Sequence, residues 1–361
     1  MKLGVLSRYD LLGASSRVRF EQYRAPLSSL LPGLQWCWQP LLDDDYLRSK
    51  YGGTSTLAHV ATSYARRLGR LPALQSADLL WIEKELWPWA PAWFEHAALR
   101  GRRYVLDLDD AIFHNYDLHR SAAVRRLYGR KIDRLMAGAT LVTAGNDYLA
   151  DRARAAGARW VESLPTVIDL ERYPLPARAA VRDASAPLTV VWIGSPATAG
   201  YLKPLAEPLR RLAQEQPVRL LTIGAEIALP GVPTVFEPWS ADSEAASIAR
   251  GDIGVMPLQD SPWERGKCGY KLIQYMACSL PVVASPVGVN RRIVADGSNG
   301  FLAADAQGWY RALRDLAADP ALRARLGHQG RLCAEREYCV QVTAPKLAAW
   351  LTEAARSSSA R

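Results

Sequence analysis

Residues 252–300 read DIGVMPLQDSPWERGKCGYKLIQYMACSLPVVASPVGVNRRIVADGSNG, and their pattern decides the fold. The apolar run 253–258 has the pattern of a buried strand. A polar loop follows, carrying Glu264, Lys267 and the glycines Gly266 and Gly269. Residues 270–278 predict a short helix, and 281–284 predict a second strand. The turn SPVGVN, with Gly288, Val289 and Asn290, opens another helix. Strand, basic glycine loop, helix, strand and glycine turn is the order in which a parallel sheet presents an anion site at its carboxyl edge. Lys267 and Lys271 stand four residues apart, so both can reach one point from the loop and the first helical turn. Backbone N–H groups of that turn add positive potential. The ligand this implies is polyanionic, and a nucleoside diphosphate fits best.

Upstream, the strand pattern LTVVWI at 188–193 runs into GSPATAGYL, which contains Ser195. A helix to about residue 214, strands at 219–223 and 234–236, and the loop EPWSADSE lead back to Asp252. In the first half, strand patterns at 2–6, 34–40, 79–84, 104–110, 140–144 and 160–164 are separated by helical and loop segments. Residues 43–53 read as a polar loop. Strand and helix alternate in both halves, which predicts an α/β protein of two doubly wound domains. Residues 171–187, rich in proline, alanine and charge, read as the hinge. The expected boundaries are 1–175, 176–335 and a terminal segment 336–361. Its last helix, begun at Thr343 and Pro345, returns to the first domain.

Several first-half features point to chemistry. The loop after the first strand carries Gly13 and Arg17. It sits at a general ligand position of open α/β sheets, and reads equally as an ordinary turn with a capping serine. The strand YVLDLDD ends in Asp107, Asp109 and Asp110. Period two puts Asp107 and Asp109 on one face. Carboxylates crowded this way are costly unless they serve a site or meet arginines. No matching ligand set accompanies them, which weighs against a metal and for hydrogen bonds to a sugar or acceptor hydroxyl. Residues 121–136 read as one amphipathic helix, with Val124, Leu127, Tyr128, Ile132 and Leu135 inward. Arg125, Arg126, Arg130, Lys131 and Arg134, with Arg120 just before, make the rest basic. The segment LWPWAPAWF concentrates Trp87, Trp89, Trp93 and Phe94. Helix and aromatics fit peripheral contact with an anionic membrane; a solvated face fits the helix at least as well, and core packing around a turn fits the aromatics better.

Composition bounds these readings. At 361 residues, 49% hydrophobic and 22% charged, the chain has the make-up of an ordinary globular protein of two domains. The net charge of +9 is diffuse and comes without a nucleic-acid-binding signature. The five cysteines form no CxxC, zinc spacing or disulfide framework, which points to a reducing cytoplasm. The first residues, MKLGVLSRYD, read as a strand and not as a signal peptide. The uncharged run 272–290 is interrupted by Pro281, Pro286 and Gly288, so no membrane span is expected. GxGxxG after a strand, a Walker loop, HExxH, GxSxG and an EF-hand are all missing, which removes the fingerprints of nicotinamide, P-loop, zincin, serine-hydrolase and calcium chemistry.

The second half resembles the nucleotide-sugar domain of family 4 glycosyltransferases with the GT-B fold. The matching pieces are WIGSPATAGYL, DIGVMPL, WERGKCGYKLIQYMACSLPVVASPVGVN and DGSNGFLA. In the first half the small-residue loop after the first strand and LPTVIDLERY echo the family's layout. The resemblance implies two Rossmann-like domains facing a cleft. It implies an enzyme that moves a sugar, with retention, from a nucleoside diphosphate donor to an acceptor hydroxyl, without metal or other cofactor. A glycan or lipid-linked acceptor on the cytoplasmic side of a membrane goes with it. Lys267 and Lys271 would neutralise the diphosphate, and Asp109 or Asp110 would stand where many members use a first-domain histidine. The substrate-binding set would be Gly13, Arg17, Ser195, Trp239, Ser240, Glu264, Gln274, Gly288, Val289 and Asn290. Two family glutamates, eight apart, fall here on Gly266 and Gln274, with Glu264 two residues off the spacing; a later one falls on Arg291 or Arg292. These departures keep a second reading open, a non-catalytic nucleotide-sugar-binding scaffold.

Overall fold

The computed structural model describes residues 1–175 and 186–357, so residues 176–185 of the expected hinge lie outside the described residues. The chain divides into two compact units: Met1–Thr166 with Arg265–Cys268 and Val340–Arg361, and Val167–Glu264 with Gly269–Cys339. Each contains one six-stranded sheet.

The first sheet holds β1 (Lys2–Leu6), β2 (Gln35–Trp38), β3 (Leu79–Glu83), β4 (Tyr104–Leu108), β5 (Leu141–Ala144) and β6 (Val161–Ser163). All its pairings are parallel, in the order β2-β1-β3-β4-β5-β6. The second holds β7 (Leu188–Ile193), β8 (Val218–Ile223), β9 (Thr234–Glu237), β10 (Ile253–Met256), β11 (Val282–Ala284) and β12 (Gly300–Leu302). It is likewise parallel, in the order β12-β11-β10-β7-β8-β9. A parallel sheet covered by helices on both faces needs strands that are apolar throughout. LLWIE of β3 and LTVVWI of β7 meet that need, and every residue in both is buried. The order reverses between β1 and β3 in one sheet and between β7 and β10 in the other. Ligands of open α/β sheets bind beyond the carboxyl ends of the strands at such a reversal.

Caps set the helix starts. Asn146 accepts from Leu149 N at 3.0 Å and opens Asp147–Ala155. Asp319 accepts from Leu322 N at 3.0 Å, and Pro320 occupies the first turn of Pro320–Glu337. The same physics corrects the expected loop at 43–53. Asp43 accepts from Tyr46 N at 3.1 Å, and Asp44–Tyr51 is a helix with acids in its first turn and bases in its last. The last helix begins at Val340, not at Thr343, and carries Pro345 inside it. It packs on Arg24–Leu30 of the first unit, where Tyr23 and Thr343 share a hydrogen bond of 2.7 Å. A groove of about 590 Å³ between these two helices, lined by Leu30, Pro345, Ala348 and their neighbours, contains none of the sheet-edge residues.

The basic helix expected at 121–136 is two helices, Ala122–Tyr128 and Lys131–Gly138. Lys131 is not on a basic face. Its ammonium is buried, 2.7 Å from Glu85 and 2.8 Å from Glu95. Satisfying those two buried carboxylates turns this part of the chain inward. Leu127 is expelled from the core and stands 69% exposed. The aromatic cluster also splits: Trp87 is fully buried, while Trp89 and Trp93 are 51% and 69% exposed.

Candidate functional site

In the first unit, the order reversal brings together the loop after β1 and the ends of β3 and β4. Glu83, the last residue of β3, is buried. Its carboxylate accepts from Ser15 Oγ at 2.7 Å, Ser16 Oγ at 2.6 Å and Arg8 N at 2.7 Å. Lys84 follows in the left-handed region, with φ 66°. Its Nζ lies 2.9 Å from Asp109 Oδ1, 3.3 Å from Ser15 Oγ, and 3.8 Å from both Glu83 Oε1 and Asp110 Oδ2. Burial works to raise the Asp109 carboxyl, but Lys84 and Arg19 outweigh it and hold the group down at about 2. That depression is stability present above the ordinary carboxylate range and lost as the pH falls through about 2.

Asp110 is the more open carboxylate, with 29% of its side chain exposed, and Lys267 Nζ lies 3.3 Å from its Oδ1. Lys267 rides on the loop Arg265–Cys268, which belongs to this unit. Asn146 Nδ2 donates to the Lys267 carbonyl at 2.9 Å, and the Cys268 thiol donates to the Asp109 carbonyl at 3.0 Å. Gly266 makes this approach possible. A Cβ there would lie 2.4 Å from Ala111 Cβ and 2.8 Å from Ala111 N, so no side chain fits without moving backbone. Asp107 stands apart from this group. It is paired bidentately with Arg19 at 2.6 and 2.8 Å, and both side chains are fully buried. Of the three carboxylates at the end of this strand, Asp107 meets an arginine and the other two meet lysines. Gly13 is the N-cap of Ala14–Arg19, and Arg17 Nη1 donates to the Leu11 carbonyl at 3.2 Å.

In the second unit, the reversal lies between β7 and β10. Ser195 stands at the N-cap position of the 3-10 segment Pro196–Leu205 after β7, where its backbone carbonyl accepts from Thr198 N at 2.9 Å. The helix Tyr270–Ala277 begins after Gly269, whose φ is 68° and where a Cβ would meet Ile293 Cδ1 at 2.3 Å. Lys271 in its first turn places Nζ 5.6 Å from the centre of the Trp192 ring, at the end of β7. Glu264 accepts from Tyr201 Oη at 2.6 Å and from the Ser261 hydroxyl. Ser285 Oγ accepts from Leu258 N at 3.0 Å, and Asn290 Nδ2 donates to the Ser285 carbonyl at 3.0 Å, which ties the loops after β10 and β11. Gly288 turns that segment with φ 52°, and Val289 leads into the helix Asn290–Ile293.

Gln274 is placed differently from its expected position on the Lys271 face. It is 3% exposed, and Nε2 donates to Tyr173 Oη at 3.1 Å. Tyr173 in turn donates to Glu244 at 2.6 Å, and the Trp239 indole donates to the same carboxylate at 2.7 Å. Burial, reinforced by Tyr270 and Glu244, keeps the Tyr173 phenol protonated well above its ordinary range. Gln274 and the half-buried Trp239 thus belong to one hydrogen-bonded chain beside a cavity of about 210 Å³ lined by Arg172, Tyr173, Asp242 and Glu244. Ser240 turns away from that chain and pairs with Ser243 Oγ at 2.6 Å.

Sequence reasoning missed Lys84, Glu83 and Ser15. A signal was present in Glu83-Lys84-Glu85, three charges set directly after an apolar strand. It also missed His114, whose Nδ1 lies 2.7 Å from Asp117 and whose Nε2 lies 2.8 Å from Tyr148 Oη. Among the described residues no cluster of metal-ligating side chains is present, and no helix is long and apolar enough to cross a membrane.

Residues 187–319 match the family Glycosyl transferases group 1. A D-inositol 3-phosphate glycosyltransferase of Streptomyces avermitilis is 32% identical over 150 residues, covering 41% of this chain and 28% of that protein. The match therefore spans well under two thirds of that relative's length. Sucrose-phosphate synthase from Thermosynechococcus elongatus superposes with a TM-score of 0.71 at 14% identity, covering 98% of both chains. Anabaena HepE, solved in complex with UDP-glucose, superposes with a TM-score of 0.69 at 17% identity, covering 98% of this chain and all of that one. At such identities the likeness is one of fold, the two-sheet Rossmann-like fold of the GT-B class.

Proposed function

We propose that this chain, whose residues 187–319 match the Glycosyl transferases group 1 family, is a retaining glycosyltransferase of family 4. It moves a sugar from a nucleoside diphosphate to the hydroxyl of a glycan or lipid-linked acceptor, without metal or other cofactor. The observation that carries this reading is Lys271 in the first turn of Tyr270–Ala277, at the strand-order reversal of the sheet that bears the family match. A helix N-terminus, a lysine and the glycine turn at Gly288 suit a diphosphate, and stabilising the departing diphosphate is electrostatic catalysis. Lys267 supplies the second ammonium. Ser195, Glu264, Val289 and Asn290 shape the same sheet edge, and Trp239, Ser240 and Gln274 shape the flank where the nucleoside rests. On the first unit, Gly13 and Arg17 border the acceptor, and Asp109 and Asp110 receive hydrogen bonds from sugar or acceptor hydroxyls.

The test is a thermal-shift panel of UDP, GDP, ADP and their sugars, followed by donor hydrolysis without acceptor. A donor that raises Tm and is turned over by the parent, but not by Lys271→Ala, supports the enzyme. Tight binding with no turnover across the panel supports a nucleotide-sugar-binding scaffold. That second reading draws on Gly266, which leaves no room for the family's glutamate, and on Gln274, whose amide is engaged with Tyr173.

The proposed setting is the cytoplasmic face of a membrane. Ala122–Tyr128 has no buried residue, and Leu127, Leu118, Trp89 and Trp93 are 69%, 57%, 51% and 69% exposed. Arg120, Arg125, Arg126, Arg130 and Arg134 are exposed, and among the described residues none of them pairs with a carboxylate. Anionic vesicles should capture the protein at low salt and release it at high salt; equal capture by neutral vesicles would remove this partner.

A further inference from the structure

We propose that Lys84 is a positioning residue of the transfer reaction, its ammonium holding Asp109 and Asp110 in place to receive hydroxyl hydrogen bonds. The inference rests on the role given to those aspartates above. Lys84 stands directly past β3, beside β1, at the strand-order reversal of the first sheet. Its φ of 66° lies where residues with a Cβ are held only under constraint. The constraint is visible. In an extended backbone, consecutive side chains point to opposite faces. A strand continuing past Glu83 would therefore send the next side chain away from it. The left-handed turn instead folds the ammonium back to 3.8 Å from Glu83 and 2.9 Å from Asp109.

Its neighbours in the chain fix the turn from both sides. Glu83 grips the loop after β1 through Ser15, Ser16 and Arg8 N. Glu85 accepts from Lys131 at 2.7 Å and from Tyr116 at 2.8 Å. The three successive side chains thus engage the loop after β1, the end of β4 and the helices that carry Tyr116 and Lys131, and the middle one is 7% exposed at the centre of a carboxylate group. The groups facing Asp109 are Lys84 just past β3, Ser15 and Arg19 from the first helix, and Cys268 from the loop Arg265–Cys268; Lys267 of that loop faces Asp110. Without the Lys84 ammonium, Glu83, Asp109 and Asp110 would repel one another, and one of them would take up a proton. A protonated carboxyl donates a hydrogen bond where an ionised one accepts it. Lys84 therefore sets the polarity that this edge shows to a hydroxyl.

The test uses Lys84→Met, Lys84→Gly and Lys84→Arg in the full chain. The Asp109 carboxyl is titrated by carbon-detected NMR, and kcat, KM and their pH profile are measured with the donor found above. In Lys84→Met, Asp109 should titrate about one pH unit or more higher, and the acid limb of kcat should rise with it. Turnover should fall roughly tenfold to a hundredfold, with donor KM within about threefold of the parent. Lys84→Gly relieves the backbone turn and should melt above Lys84→Met, yet lose the same turnover. Lys84→Arg should recover part of it. Parental Asp109 titration in folded Lys84→Met, or parental turnover in Lys84→Gly, overturns the inference and leaves the glycosyltransferase reading intact. A parent that turns over no donor overturns the reading beneath it, and the titration alone then decides whether the ammonium governs Asp109.

Discussion

The carboxyl edges of the two sheets are built from opposite materials. At the first edge, Glu83, Lys84, Asp109, Asp110 and Lys267 form one group of charges, with the fully buried Arg19–Asp107 pair just behind it. At the second, hydroxyls, an indole, an amide and glycine turns dominate, and the carboxylates Glu264 and Glu244 accept from Tyr201 and Ser261 and from Tyr173 and Trp239. The same parallel architecture therefore presents two different surfaces. A buried lysine already set among carboxylates, as Lys84 is, suits a neutral, hydroxyl-rich ligand and not a phosphate, which gives any diphosphate role at this edge to the more open Lys267. An edge of backbone N–H groups, a glycine turn and the first-turn Lys271 suits an anion. The difference does not come from strand order alone, since both sheets have a reversal. It comes from which side chains follow the strands.

The largest expected effect breaks the charged edge. Arg19→Met should leave the Asp107 carboxyl fully buried without its arginine, at a cost of about 3–5 kcal/mol in a denaturant titration. A loss below about 1 kcal/mol would mean that the pair does not hold β4 in place. Next come the ligand contrasts. Lys271→Ala should weaken nucleoside diphosphate binding by about 1.5–3 kcal/mol, roughly tenfold to a hundredfold, and monophosphate binding by less. Asp110→Asn should leave diphosphate binding unchanged or tighter, since Lys267 loses its carboxylate, while cutting turnover. Calorimetry on both variants separates the edges; equal losses in the two would erase the distinction.

A smaller change probes the neutral edge. Gln274→Glu replaces a donor with an acceptor opposite the Tyr173 oxygen, whose own proton is committed to Glu244. About 1–3 kcal/mol of stability should be lost at neutral pH. The folded-state pKa of the new carboxyl would be raised, so the loss should shrink as the pH falls towards the ordinary carboxylate range. A pH-independent melting difference would contradict this. The least severe is Gly266→Ala. Its Cβ would press on Ala111, at about 1–3 kcal/mol if the loop cannot shift and close to nothing if it can. The melting temperature of that variant reports how firmly the loop carrying Lys267 is held.

Sequence alone determined the architecture, because strand patterning is local. Apolar runs such as LTVVWI and LLWIE must be buried on both faces, and alternation with helices then requires parallel sheets. The strands at 2–6 and 188–193 and the loop–helix around Lys267 and Lys271 all followed from short-range chemistry. What tertiary structure alone decided is where each charge goes. Leu127 and Lys131 sit in one amphipathic pattern, yet buried Glu85 and Glu95 claim the lysine, and the leucine is left in solvent. Gln274 falls three residues after Lys271, yet the residue that receives its amide is Tyr173, about a hundred positions away. The charges Glu83-Lys84-Glu85 mark the place in the sequence, but nothing local marks a left-handed lysine. Its conformation is held by carboxylates from the end of another strand, and burying an ammonium is favourable only where those partners converge.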